Sequence, residues 1–130
     1  MTQVLNRFVA QFVERERQAR YLALLGSAKR RDDGLWDLLH DGRHLDRRKF
    51  SRVPADELSS VAARLRALGV RGMGYVLAWN DEHDGGSVEL DQALSLFLGQ
   101  ARDVVIYFPE ANAGYYENHE GEVHIFCARS

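Results

Sequence analysis

At 130 residues, 45% apolar and 28% charged, the chain has the size and composition of one globular domain, which excludes a disordered or fibrous chain. Its lone cysteine, Cys127, excludes an internal disulfide and fits a reducing, cytoplasmic setting. The net charge of −2 hides a split: residues 1–72 carry 15 Lys and Arg against 9 Asp and Glu, whereas residues 73–130 carry 2 against 10. Such a dipole points to one half docking on the other or to an external electrostatic partner.

In chain order, apolar residues from Val4 through Phe8, Phe12, Ala19 and Leu25 recur at helical spacing and predict one long helix over the first 28 residues. Its apolar face spans about half the circumference, wider than a surface helix needs. Packing on two sides within its own domain, or a homodimer seam, would use that width. Glu14-Arg-Glu-Arg17 interrupts the pattern as a solvated stretch. Lys29 to Gly34 punctuates the chain, and Leu35 to His40 predicts a second helix ended by Asp41-Gly42-Arg43. A third helix starts near Pro54 with Asp56 and Glu57 at its positive end, sets Leu58, Val61, Ala62, Leu65 and Leu68 on one face, and closes at Gly69.

Beyond residue 72 the period changes. Met73–Trp79 reads as a strand, Asn80–Gly86 as a loop, Ser87 as the cap of a helix reaching Leu98, and Asp103–Phe108 as a buried strand stopped by Pro109. Tyr115–Glu117 and Val123–Ala128 read as two further strands around a Gly-containing turn. The expected fold is a single α+β domain over residues 1–130. It consists of a basic three-helix segment followed by an acidic β-α-β-β-β segment, whose small mixed sheet carries helices on one face and whose β-α-β unit crosses over right-handedly. The longest apolar runs are five residues, far below the roughly 18 of a membrane span, and the N-terminal stretch has no uninterrupted apolar core of a secretory leader.

Four constellations carry candidate chemistry. The loop Asn80, Asp81, His83 and Asp84 lies between a strand end and a helix start, where ligands and anions are often held. Started at Asp81 it fails as a calcium loop, since Gln92 stands where a bidentate glutamate is required. Tyr115, Tyr116 and Glu117 form a second candidate: adjacent tyrosines on a strand face opposite sides, so one packs inward and the other offers its ring outward. A third is the basic set Lys29, Arg30, Arg31, Arg43, Arg47, Arg48, Lys49 and Arg52, which suits phosphate or nucleic-acid contacts, although a pI of about 6.2 disfavours nucleic acid. Finally, His40 and His44 stand four apart and could share a metal on a helix, but Gly42 between them weakens that helix, so no metal is expected.

No cofactor motif is present: Gly69 to Gly74 lacks dinucleotide spacing, and there is no P-loop, no His-Glu-x-x-His and no Gly-x-Ser-x-Gly elbow. Cys127 reads as a small core residue. The sequence therefore favours a non-enzymatic, cytoplasmic binding or regulatory module that self-associates. A small metal-assisted hydrolase using His40, His44, His83 and nearby carboxylates, and a nucleic-acid binder, are the alternatives.

Overall fold

A computed structural model describes residues 2–54 and 58–128. Helix α1 (Thr2–Phe12) is followed by a short 3-10 turn (Arg15–Arg17), α2 (Gln18–Leu25) and α3 (Arg31–Leu39). A second 3-10 turn (Arg47–Lys49) leads into strand β1 (Phe50–Val53), then α4 (Leu58–Ala67), β2 (Met73–Ala78), β3 (Ser87–Glu89), α5 (Leu90–Phe97), β4 (Val104–Phe108), β5 (Ala113–Glu117) and β6 (Val123–Cys127). The strands form one sheet of order β1-β6-β5-β4-β2-β3.

The α+β class holds, but the sheet is antiparallel at every described pairing instead of mixed. After β2 the chain turns back as the edge strand β3 and then runs through α5. Strand β4 therefore returns beside β2 in the opposite direction, pairing Tyr75 with Tyr107 and Ala78 with Val104, and no parallel crossover exists there. Helices also cover both faces, not one. Tyr75, Leu77, Val105, Tyr107, Tyr116 and Phe126 pack with Leu5, Phe8, Val9, Phe12, Leu25 and Leu38 of α1 to α3. The alternate residues Val76, Ile106, Phe108, Tyr115, Val123 and Ile125 pack with Val61, Leu65, Leu94 and Phe97 of α4 and α5. Two covered faces explain why β4, Val-Val-Ile-Tyr-Phe, is apolar at every position instead of alternating.

The predicted long first helix is broken. Glu14 leaves helical geometry at φ −51°, ψ 136°, its N–H donates to the His44 carbonyl, and Val13 bridges to Leu45. The charge run Glu14 to Arg17 thus marks a corner between two helices. The broad apolar face of α1 is consumed by this chain's own sheet: Phe8 and Phe12 are fully buried, and Phe12 meets Phe126 edge-on at 4.6 Å between centroids. The stretch before Gly34 is the first turn of α3 instead of a loop, with Asp32 and Asp33 at its positive end. Gly69 closes α4 in the left-handed region at φ +92°, as its position suggested. Asp56 and Glu57, expected to begin that helix, lie outside the described residues. Ser87 belongs to β3, and Glu89 takes the N-cap position of α5. Cys127 ends β6 only half-buried, packed against the α4–α5 side of the core.

Several cations of the first half reach carboxylates of the second. Arg31 grips Asp84 through Nε and Nη2 at 2.6 and 3.1 Å, Arg52 meets Glu122 at 3.2 Å and Arg66 meets Asp91 at 2.8 Å. Others pair within their own half, Arg43 with Asp37 and Asp41, and Arg48 with Asp46.

Candidate metal centre

The sequence candidates distribute unevenly. In the loop after β2, Asn80 takes positive φ and Asp81 accepts the His83 N–H at 2.8 Å, touches the His83 ring at 3.0 Å and pairs with Arg102 at 3.1 Å. Burial alone would raise the Asp81 pKa, but the His83 hydrogen bonds and Arg102 outweigh it and hold the carboxyl below its ordinary value. Asp84 is equally committed, accepting from Arg31 and from the Ala78 N–H. The two aspartates of the loop are thus committed to its own turn, to Arg102 and to Arg31 of α3.

Tyr115 and Tyr116 do face opposite sides of the sheet, yet neither points outward, because each side has its helical layer and both are buried. Tyr115 donates to Glu117 at 3.4 Å, and Glu117 also accepts the N–H groups of Gly99 and Ala101. Burial raises the Glu117 pKa against the lowering effect of those bonds. Glu117 thus ties down the turn between α5 and β4. On the opposite face the Tyr116 hydroxyl donates to the Leu39 carbonyl, joining β5 to the end of α3.

His40 and His44 part company. Helix α3 ends at Leu39 and Gly42 turns the chain at φ +69°, so the four-residue spacing no longer lies on one helix face. His44 directs Nδ1 to Glu14 at 3.1 Å, and its Nε2 accepts from Arg43 at 3.1 Å. His40 instead turns to Asp103, with Nδ1 3.1 Å from Oδ2. Across the same carboxylate stands His119, its Nδ1 3.6 Å from Oδ1. The two imidazoles lie parallel at 3.8 Å between centroids and 3° between planes, and Trp36 continues the stack over His40 at 4.6 Å.

Each member is positioned by local structure. Asp103 enters β4, and its carbonyl accepts the Trp79 N–H, extending the β2–β4 ladder by one step. His40 caps α3, its N–H returning to the Trp36 carbonyl. His119 sits in the β5–β6 turn, where Asn118 Oδ1 accepts the N–H groups of Glu120 and Glu122, Asn118 Nδ2 donates to Glu122, and Gly121 supplies positive φ. The Asp103 side chain is only 2% exposed, whereas His40 and His119 are 36% and 40% exposed. Asp103 Oδ1 is buried without a hydrogen-bond partner. Among the described residues, His40, Asp103 and His119 form the single group whose ligand atoms converge as a metal would require, all within 4.8 Å.

In the sequence His119 falls only in the turn between the last two predicted strands, and Asp103 reads as the first residue of a strand. The available signal was a carboxylate leading directly into an all-apolar strand, where only a partnered aspartate is tolerated. Comparison with protein-family models, with curated proteins and with solved structures finds no match. Function therefore rests on the side chains themselves.

Proposed function

We propose that this chain is a metal-binding protein that takes one transition-metal dication between His40, His119 and Asp103. The carrying observation is the buried carboxylate set between two imidazole Nδ1 atoms, with one oxygen unsatisfied. Two imidazoles and one carboxylate suit borderline ions such as Zn2+, Fe2+ or Co2+ and leave coordination positions open. With His40 and His119 partly exposed, an ion held here would be reachable from solvent. Bonds of about 2.0–2.1 Å place tetrahedral ligand atoms roughly 3.3 Å apart, so the stacked rings tilt toward each other and toward Asp103 on binding. An ion held this way would acidify a bound water or polarise an oxygen of a ligand, which is the chemistry of metal-assisted hydrolysis. The homodimer seam suggested by α1 loses its motive, since that face is occupied by β4 and β6.

Co2+ titration tests the reading, followed by visible absorption and by fluorescence. Wild type should bind one equivalent with quenching of Trp36, which stacks on His40. His40→Ala, His119→Ala and Asp103→Asn should each weaken binding by roughly tenfold or more. Trp36→Phe should keep the absorption and lose the quenching, and His44→Gln should change neither. Unaltered affinity in His119→Ala, or no uptake by folded wild type at millimolar Co2+, would overturn the proposal.

A further inference from the structure

Beside the metal centre, formed by the segments that follow His40 and flank His119, lies a cavity of about 280 Å³. Its walls are Gly42, Leu45, Phe50 and the Tyr116 ring on the apolar side, and Asp41, Arg47, Arg52, Asn118, Glu122 and His124 on the polar side. That volume falls just below the ~300–1,000 Å³ of pockets that hold drug-sized molecules.

On the polar wall both carboxylates already have a cation beside them, whereas several donors are free. Glu122 pairs with Arg52 at 3.2 Å and accepts from Asn118 at 2.7 Å. Asp41 accepts the Arg43 N–H at 3.1 Å and faces Arg43 Nη1 at 3.4 Å, and Asn118 Oδ1 accepts two backbone N–H groups. In contrast, the Arg47 side chain makes no hydrogen bond or ion pair among the described residues, only its carbonyl accepting the Phe50 N–H. Arg52 commits only Nη1 to Glu122, leaving the rest of its five-donor fork free. His124 stacks on Tyr116 at 5.7 Å, and its Nδ1 is buried without a partner. Free guanidinium donors around a closed set of acceptors call for an oxyanion.

We propose that this cavity binds a small organic oxyanion, its carboxylate or phosphate held by Arg47, Arg52 and His124 and its compact apolar body lying against Leu45, Phe50 and Tyr116. Burial, assisted by Arg52 and Arg47 and opposed by Glu122, pushes the His124 pKa below its ordinary value in the empty cavity. Gly42 makes the apolar wall close: a Cβ there would stand 3.0 Å from the Tyr116 hydroxyl oxygen and 3.2 Å from its ring.

The proposal does not depend on the metal, and its test is run on the full chain with chelator present. Phenyl phosphate, benzoate, inorganic phosphate and benzylamine are titrated while the His124 and Tyr116 ring resonances are followed by NMR. Phenyl phosphate or benzoate should saturate both rings' shifts and bind more tightly than inorganic phosphate, the tighter of the two naming the oxyanion. Benzylamine should not bind. Arg47→Ala, which removes no hydrogen bond or ion pair of the fold, should weaken binding roughly tenfold, while Arg30→Ala, an exposed cation away from the cavity, should not. Equal losses in the two variants, binding of benzylamine as tight as that of benzoate, or no saturable shift would overturn the pocket. Co2+ uptake measured separately on the same protein tells that failure apart from failure of the metal centre.

Discussion

Replacing Arg31 with alanine removes the strongest tie between the basic and acidic halves. The guanidinium makes two bonds to Asp84, one to the Leu25 carbonyl at 3.1 Å and one to the Tyr75 hydroxyl at 2.9 Å, with only 19% of the side chain exposed. Asp84, itself 15% exposed, would keep a single backbone N–H from Ala78. Breaking a buried pair this way costs about 3–5 kcal/mol, and the pair's position at the rim favours the lower figure. With an unfolding entropy near 2.1 cal/mol/K per residue, about 3 kcal/mol over 130 residues lowers Tm by roughly 11 °C. Calorimetry on Arg31→Ala, Asp84→Ala and the double variant should show this drop and a coupling of about 1–2 kcal/mol between the two sites. Arg48→Ala, whose side chain is 87% exposed beside Asp46, should leave Tm unchanged. An Arg31→Ala protein melting within about 2 °C of wild type would refute the reasoning that cross-half pairing holds α3 to the β2–β3 loop.

Gly34 lies where α3 crosses α2, and a Cβ there would meet the Leu24 Cβ at 2.8 Å and Leu25 Cδ2 at 3.2 Å. Gly34→Ala should therefore lose about 1–2 kcal/mol in urea unfolding despite the helix propensity that alanine adds, and a stabilised variant would show that the helices can part freely. Glu117, with its folded pKa raised, binds its proton more tightly in the folded than in the unfolded chain. Stability from this group is present below the unfolded carboxyl pKa and is lost as pH rises through the folded one. Wild type should accordingly lose stability relative to Glu117→Gln across that interval, measured by urea midpoints at successive pH values; a difference that stays constant or moves the other way would contradict the raised value.

The elements visible in the sequence were those whose own residues carry the signal. Val104–Phe108 is five consecutive buried apolar residues, and α4 shows its apolar face and terminal glycine without help from the rest of the chain. Strand β1 was not visible because only Val53 of its four residues is buried, so a strand edge reads as a basic loop. The cover on the second face of the sheet was equally hidden, since β2 and β4 look the same whether one or two layers of helix enclose them. For the candidate site, His40 was singled out beside His44 on chain spacing. The structure sets it against Asp103, 63 positions away, and only sheet order brings the start of β4, the end of α3 and the β5–β6 turn together. Spacing along the chain reports neighbours on one helix or strand and carries no information about that meeting.

The two outermost strands are also the shortest, four residues in β1 and three in β3, with Ser51, Arg52, Ser87 and Glu89 turned to solvent. An incoming strand from another molecule would find few free backbone groups there and a charge at either border. Segments such as Tyr-Val-Leu-Ala and Val-Val-Ile-Tyr-Phe, which would stack readily into fibrils if displayed at a margin, are kept in the interior of the ribbon order. The same layout that encloses the aromatic core therefore guards the chain against self-templated polymerisation, and variants that detach β1 or β3 should expose that hazard before they expose the core.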